Sequence, residues 1–212
     1  MSNFFLYQTP GWLPLVFPQF TWSKKNAKNE IYLTFDDGPV PEATPMVLQY
    51  LRDYNARATF FCVGENVTRY PEIFQQIVEE GHSIGNHTFH HLNGWKVTTR
   101  EYLDDVEDCQ KVLRLLDHRK DKPLMRPPYG RLKRNQWKAL TGHYQIIMWD
   151  VLSGDFSSAV SSSSCLSKSI RYSKPGSIVL FHDSVKTIDK LQTVLPGYLS
   201  HFSRLGCSFQ PL

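Results

Sequence analysis

The strongest constraint on the fold is an alternation of short apolar runs with segments of helical periodicity. Candidate strands lie at 31–35, 58–63, 83–86, 124–125, 144–149, 178–181 and 207–209. Helical patterns separate them at 47–54, 71–81, 98–116, 132–140 and 188–204, and one more helix is expected in the serine-rich stretch 157–169. This alternation predicts βαβ units around a mainly parallel sheet. A chain of 212 residues suits one such domain with a single core.

Chemically versatile side chains follow these apolar runs. They are Asp36, His87, Arg126, Asp155 and His182. In parallel α/β folds the carboxyl ends of the strands meet at one edge, where active sites are built. The pattern therefore predicts one site that is assembled from five separate strand ends.

Two of these segments carry metal-ligating residue types. The adjacent carboxylates of Asp36-Asp37 repel each other unless a cation or a basic partner lies nearby, although an isolated Asp-Asp-Gly is more often an acidic turn or a helix cap. His87 and His91 have the H-x3-H spacing, which can present two imidazoles to one point. With one carboxylate they would form a His₂Asp site with open positions for water or substrate. His90 is the weaker alternative to His91, and His82 is expected to be structural.

Arg126, Asp155 and His182 could form ion pairs that hold their side chains in fixed orientations. Pro127 and Pro128 stiffen the segment after Arg126, so the arginine is either a surface group on a rigid loop or a partner for a carboxylate in a cleft. Asp155 and His182 are ordinary residues in isolation. Pairing with a carboxylate would orient the histidine and raise its pKa.

Charge and cysteine usage exclude several classes of protein. The formal charge of +4 is mild and the Lys and Arg residues are dispersed, so no nucleic-acid partner is expected. The four cysteines include no C-x-x-C pair, which argues against a zinc ribbon or a redox motif. Reduced cysteines within the core are the expectation.

The N-terminal segment is aromatic and apolar, but Pro10, Pro14 and Pro18 interrupt it. It lacks a basic start and an unbroken apolar run, so it does not resemble a signal peptide, and a cytoplasmic location is the default expectation. It is also too short and too broken to span a membrane. We expect a non-helical segment that packs across the outside of the core.

Several motifs, in order and at matching intervals, resemble those of the polysaccharide deacetylases of carbohydrate esterase family 4, which have a NodB-like domain. The motifs are TFDDGP at 34–39, GHSIGNHTFHH at 81–91, RPPYG at 126–130 and LFH at 180–182, with a structural strand at 58–64. The resemblance spans roughly residues 31–206. It implies a distorted, incomplete (β/α) barrel of about seven βα units, with an N-terminal extension at 1–28 that packs on a catalytic domain at 29–212.

The resemblance also implies a role for each motif residue. Asp36 would be the catalytic base, oriented by Arg126, and His182 the catalytic acid, paired with Asp155. The implied metal ligands are Asp37, His87 and His91, which would hold a divalent ion, with zinc as the first choice and cobalt or nickel as alternatives. The implied substrate-binding residues are Pro128, Tyr129, Phe156 and Leu180, and Tyr129 would also offer its backbone N–H to the oxyanion.

One motif departs from the family pattern. The family usually has Asp or Ser, two residues, and then Asp-Trp, whereas residues 152–156 here read LSGDF. Asp155 is kept, but Leu152 and Phe156 replace the leading polar residue and the tryptophan. The departure alters the wall that would receive the acetyl methyl group and the departing sugar.

The expected activity is metal-dependent hydrolysis of the acetamide of N-acetylglucosamine residues in a chitooligosaccharide- or peptidoglycan-type glycan. An O-acetyl esterase acting on xylan or a related glycan is the first alternative. A small-molecule amidase of the deformylase or ureide type and a non-catalytic carbohydrate-binding protein are the others. Nothing in the sequence indicates an oligomeric state.

Overall fold

The computed structural model of the protein describes residues 5–25, 27–117 and 122–212. Within these ranges the strands are Glu30–Asp36 (β1), Thr59–Cys62 (β2), Ser83–Asn86 (β3), Leu124–Met125 (β4), Gln145–Ile146 (β5), Val151–Leu152 (β6), Ile178–His182 (β7) and Ser208–Phe209 (β8). The helices are Leu13–Val16 (α1), Thr44–Asp53 (α2), Gly64–Arg69 (α3), Pro71–Glu79 (α4), Thr99–Leu116 (α5), Arg134–Leu140 (α6), Ser162–Tyr172 (α7) and Ile188–Arg204 (α8). Single 3-10 turns lie at Pro128–Gly130 and Val185–Thr187.

Every strand pair in the sheet is parallel. The strand order is β5-β4-β3-β2-β1-β7-β6, and β8 pairs with the beginning of β1. Helices cover the outside of this curled sheet, whose edges are β5 and β6. The arrangement confirms the predicted incomplete (β/α) barrel.

Strand β1 has one face in the apolar core, where it packs with the helices, and the other face inside the barrel. Ile31, Leu33 and Phe35 are fully buried in the main apolar cluster, together with residues of α2, α4 and α8. Because side chains alternate along a strand, Thr34 and Asp36 project to the opposite face. The polar face of the central strand therefore lines the barrel interior and ends at its carboxyl edge.

The N-terminal segment contacts the strands at both edges of the sheet. Gln8 forms an antiparallel bridge with Val151, and Thr21 forms a parallel bridge with Ile147, which follows β5. Covering edge strands in this way satisfies backbone groups that would otherwise be left unpaired. The division of the chain at residue 28 stays a prediction.

The expectation of a non-helical N-terminal segment is wrong at α1, a single turn of helix. Pro14 lies in its first turn, where the proline's missing N–H costs no intrahelical hydrogen bond. Helix α3 was not predicted either.

Two predictions about regular structure differ from the structure for physical reasons. Pro196 within the helical pattern 188–204 predicts a kink or a break, but helix α8 runs through it without a break. The buried side chains on either side, among them Val194, Leu195 and Tyr198, hold the helix against the sheet. Of the apolar run 144–149, only Gln145–Ile146 is a strand. The carbonyls of Ile147 and Met148 instead accept hydrogen bonds from Arg126.

The exclusions drawn from composition agree with the structure in two respects. No helix in the described ranges is long and apolar enough to span a bilayer. All four cysteines have free thiols, and three of them are buried.

Candidate active site

The carboxyl ends of β1, β3, β4 and β7 meet at one edge of the sheet. Register pairs Asp36 at the end of β1 with His182 at the end of β7. The end of β3 is in register with the end of β4, so His87 and Arg126 follow side by side. The structure therefore brings together residues that lie up to 146 positions apart in the chain, from Asp36 to His182.

Asp37, His87 and His91 form a possible metal site, since one ligand atom from each lies within 4.8 Å of the others. Asp37 Oδ1 is 3.2 Å from His91 Nε2 and 3.7 Å from His87 Nε2. A tetrahedral ion with bonds of about 2.1 Å places its ligand atoms about 3.4 Å apart. The two imidazoles and the carboxylate thus fit a divalent metal in both chemistry and spacing.

A backbone hydrogen bond fixes the tautomer of His87. Its Nδ1 lies 2.8 Å from the carbonyl oxygen of Arg126. Because a carbonyl only accepts, Nδ1 carries the hydrogen and Nε2 keeps its lone pair for a metal.

Burial and neighbouring charges set the protonation states of His87 and Asp37. Burial lowers the pKa of His87 to about 4, so the ring is neutral at pH 7. Burial alone would raise the pKa of Asp37, but the hydrogen bond with His91 and the nearby histidines hold that pKa well below its usual range. Neutral imidazole and ionised carboxylate are the forms that bind metal.

Backbone strain is concentrated at the same residues. Asp37, Thr88 and His91 have left-handed φ angles of 84°, 65° and 55°, a conformation that costs non-glycine residues on the order of 1–3 kcal/mol unless neighbours hold it. Asn66 Nδ2 donates to the carbonyl oxygen of Asp37 at 2.8 Å. Asn86 Oδ1 accepts from the N–H of Thr88, also at 2.8 Å. These two amide side chains hold the loops that carry the possible ligands.

His90 points away from the possible metal site formed by Asp37, His87 and His91. Its Nδ1 lies 2.5 Å from Asp105 Oδ1, while Asp105 Oδ2 accepts the backbone N–H groups of Phe89 and His90. Asp105 is buried on α5 and was missed in the sequence, because hydrophobic periodicity identified only the apolar members of that helix face, such as Val106. The signal that could have identified it is an acidic residue whose spacing matches that of the apolar residues on a buried helix face.

Asp183 was also missed. Its Oδ1 accepts the N–H of Gly38 at 3.1 Å, and its Oδ2 accepts the hydroxyl of Thr44 at 2.6 Å. A Cβ at position 38 would lie only 2.0 Å from Asp183 Oδ2, so the close approach requires glycine. Burial raises the pKa of Asp183 to about 8. The carboxyl fixes the turn that follows Asp37, and its place next to His182 was the only hint in the sequence.

Arg126 is fully buried and crosses the barrel interior. Its Nη1 donates to Asp36 Oδ1 at 2.8 Å and to Thr34 Oγ1 at 2.7 Å, and its other nitrogens donate to the two main-chain carbonyls that follow β5. The guanidinium carbon lies 4.1 Å from the centre of the Phe61 ring. A charge this deep is tolerable only because it is paired and because each of its three nitrogens donates a hydrogen bond. The arrangement fixes one oxygen of Asp36, while Oδ2 lies 3.7 Å from His87 Nε2.

His182 is paired with Asp155 through both side chain and backbone. Asp155 Oδ1 lies 2.8 Å from His182 Nδ1, and Oδ2 accepts the backbone N–H of His182 at 2.7 Å. Burial alone would lower the pKa of His182, but the charge of Asp155 and its hydrogen bond raise it to about 10. The ring is therefore protonated at neutral pH.

The predicted substrate-binding residues divide into exposed and buried ones. Tyr129 is 59% exposed, and its ring centre lies 4.8 Å from that of His91. Phe156 is 40% exposed, and its ring lies 5.4 Å from that of His182. Pro128 and Leu180 are buried, so they can shape the floor of the site but present little surface to a ligand.

The N-terminal segment supports Phe156 from behind. The ring of Phe5 lies 5.1 Å from the ring of Phe156, and the carbonyl of Tyr7 accepts the N–H of Leu152. A Cβ at Gly154, whose φ is +78°, would lie 2.7 Å from Phe5. Contacts from the N-terminal segment therefore shape the wall that departs from the family pattern.

Known proteins share both the sequence and the fold of this chain. The polysaccharide deacetylase family matches residues 23–143. A peptidoglycan-N-acetylglucosamine deacetylase from Bacillus cereus is 36% identical over 94% of this chain and 76% of its own length. A chitooligosaccharide deacetylase from Azorhizobium caulinodans is 34% identical over 74% of each chain.

Solved structures agree with these sequence matches. The crystal structure of a peptidoglycan N-acetylglucosamine deacetylase in complex with 4-naphthalen-1-yl-N-oxidanyl-benzamide superposes with a TM-score of 0.84, at 34% identity and over 95% of both chains. On the strength of the family match and of relatives more than 30% identical over most of its length, the chain belongs to the polysaccharide deacetylase family.

Proposed function

We propose that the protein is a metal-dependent hydrolase that removes the acetyl group from N-acetylglucosamine residues of a glycan. One observation carries the proposal: an anchored carboxylate, Asp36, and a protonated histidine, His182, end adjacent strands beside the Asp37-His87-His91 cluster. Amide hydrolysis needs a base for the attacking water and an acid for the departing nitrogen. The names of the two deacetylase relatives support N-acetylglucosamine as the substrate class.

Asp37, His87 and His91 would hold the metal, for which zinc is the first choice because two imidazoles, one carboxylate and open positions are typical of catalytic zinc. Cobalt and nickel suit the same ligands. When bound, the ion would lower the pKa of a water molecule and polarise the acetyl carbonyl.

Asp36 would act as the base. Arg126 holds its Oδ1, so the carboxylate cannot rotate freely, and Oδ2 remains on the side of the metal cluster. From there the carboxylate can take the proton of the attacking water.

His182 would act as the acid. Its Nδ1–H donates to Asp155, so in the protonated ring Nε2 carries the second hydrogen. Transfer of that proton to the acetamide nitrogen allows the amino sugar to leave as an amine. The raised pKa of the histidine keeps the proton available at neutral pH.

Tyr129 would stabilise the developing oxyanion with its backbone N–H. Its left-handed φ of 60° and the neighbouring Pro128 hold this peptide in a fixed orientation. One such donor is typically worth about 3–4 kcal/mol in the transition state.

Acetate release from N-acetylglucosamine oligomers tests the proposal. The assay compares zinc-loaded protein, chelator-treated protein and an Asp36→Asn variant, with bound metal measured in each. The matched control is Asp53→Asn, which makes the same change at an exposed carboxylate on α2.

We expect release only from the zinc-loaded wild type and from the control. No release from any oligomer by metal-loaded wild type would refute N-deacetylation. Release from acetylated xylan in its place would establish the O-acetyl esterase alternative.

A further inference from the structure

We propose that the exposed indole of Trp95 binds a sugar ring next to the one whose acetyl group is removed. The inference rests on the proposed function and adds a second sugar site to it. It makes the protein an enzyme that recognises at least two consecutive residues of a glycan.

Trp95 is exposed, yet its orientation is fixed. The residue is 58% exposed. Its Nε1 donates to the carbonyl of Leu132 at 3.2 Å, and its backbone N–H donates to Asn93 Oδ1 at 3.0 Å. The guanidinium of Arg131 lies 4.9 Å from the ring centre. A side chain held by its edge, its backbone and a neighbouring cation is preorganised, so binding a ligand to it costs little conformational entropy.

A buried glutamine attaches the Trp95 loop to the segment that carries Tyr129. Gln136 is fully buried; its Nε2 donates to the carbonyl of Gly94 at 2.9 Å, and its Oε1 accepts the N–H of Lys133 at 2.8 Å. A Cβ at Gly94 would lie 2.4 Å from the carbonyl oxygen of Arg131. The two segments thus contact each other at main-chain distance and keep the indole in place.

The Trp95 loop lies against the segment that carries Tyr129. Trp95 is on the loop that follows His91, and Gly94, the residue before it, closely approaches the main chain of Arg131, since a Cβ at Gly94 would lie 2.4 Å from the Arg131 carbonyl oxygen. The main chain from Tyr129 to Arg131 spans at most about 7 Å, which is comparable with one sugar ring and its linkage. Because the ring of Tyr129 contacts His91, a glycan whose acetamide lies at the metal cluster has its neighbouring ring within reach of the indole.

The chemistry of the indole matches the face of a pyranose. In a sugar of the glucose configuration the ring substituents are equatorial, so each face presents C–H groups and is apolar. Stacking such a face on an aromatic ring buries apolar surface and leaves the hydroxyls in water. Indole is the largest aromatic surface available among the side chains.

Calorimetric titration with the N-acetylglucosamine tetramer tests the inference. It uses the zinc-loaded full-length Asp36→Asn protein, so that the ligand is not consumed. Trp95→Ala and Trp95→Phe are added to this background. Trp12→Ala is the matched control, because Trp12 is 61% exposed in the N-terminal segment. In parallel, kcat/KM for the tetramer relative to the single sugar is measured without the Asp36 change.

We expect Trp95→Ala to weaken tetramer binding about tenfold, as the loss of one aromatic stacking contact does. The ratio of kcat/KM values should fall by a similar factor. Trp95→Phe should recover most of the affinity, and Trp12→Ala should bind as tightly as the background protein. Zinc content equal to that of the background shows that the His91 loop is intact.

Unchanged affinity in Trp95→Ala, or equal losses in Trp95→Ala and Trp12→Ala, would overturn the inference. So would failure of the background protein to bind the tetramer. Acetate release by the wild type decides the proposed function separately. Release with unchanged binding in Trp95→Ala rejects the sugar site alone, whereas weakened binding without release rejects the activity alone.

Discussion

Replacing Asp155 by Asn should lower the pKa of His182, the proposed catalytic acid, so that its ring is deprotonated under alkaline conditions. Burial alone lowers the pKa of His182, and the charge of Asp155 with its hydrogen bond raises it to about 10. Asparagine keeps the size of the side chain and removes the charge. The pKa of His182 should then fall to its ordinary value of about 6.5 or below.

The size of the effect follows from the two pKa values. At pH 8.5 a histidine with a pKa of about 10 is almost fully protonated, whereas one with a pKa of about 6.5 is roughly 1% protonated. At pH 6 both are mostly protonated. The ratio of wild-type to variant kcat should therefore grow roughly 50- to 100-fold between pH 6 and pH 8.5.

Acetate release across this pH range, at equal metal loading, measures the ratio. A bound cation opposes protonation of His182 in both proteins, so equal loading isolates the effect of Asp155. Asp150→Asn is the matched control, because Asp150 also accepts a backbone N–H from β7, at its opposite end, through Ile178. A wild-type to Asp155→Asn ratio that stays constant with pH would refute the assignment of His182 as an acid tuned by Asp155.

Two further predictions concern metal binding at the site and the stability of the fold. His91→Ala should lose bound zinc, whereas His90→Ala should retain it, because His90 pairs with Asp105 instead; metal analysis after dialysis checks both, and equal retention would contradict the ligand assignment. Leu48→Ala, at a fully buried position, should lower the free energy of unfolding by about 2–5 kcal/mol. Leu115→Ala, at a position that is 73% exposed, should change it by less than about 0.5 kcal/mol in the same urea titration.

Local patterns were enough to predict a mainly parallel βαβ sheet and the order of most of its elements, whereas the incomplete barrel was implied by the family resemblance. The β-branched and aromatic run 31–35 lies within β1, and the helical pattern 98–116 corresponds to α5, which a Thr98-x-x-Glu101 capping box opens. The cap is predictable because Thr98 and Glu101 hydrogen-bond to each other's backbone three positions apart. The strand is predictable because β-branched and aromatic side chains favour an extended backbone. The run at 144–149 became mostly irregular because Arg126 donates hydrogen bonds to the carbonyls of Ile147 and Met148, 21 and 22 positions later.

The possible metal site was likewise predicted only in part from the sequence. The H-x3-H spacing indicated that His87 and His91 could share an ion, and the family resemblance implied that Asp37 would join them. The left-handed backbone at Asp37 and His91 was not readable from the sequence. It depends on Asn66 and Asn86, whose amides look like ordinary polar residues until the chain is folded.

The sequence by itself determined the fold class and the residues that can do chemistry, because both depend on residue type and spacing along the chain. Only the tertiary structure revealed that Asp105 and Asp183 hold the site's loops, that Phe5 supports Phe156, and that Gln136 attaches the loop of Trp95. Each of these contacts joins residues at least 15 positions apart. Their formation depends on how helices, loops and strands pack, which no local pattern encodes.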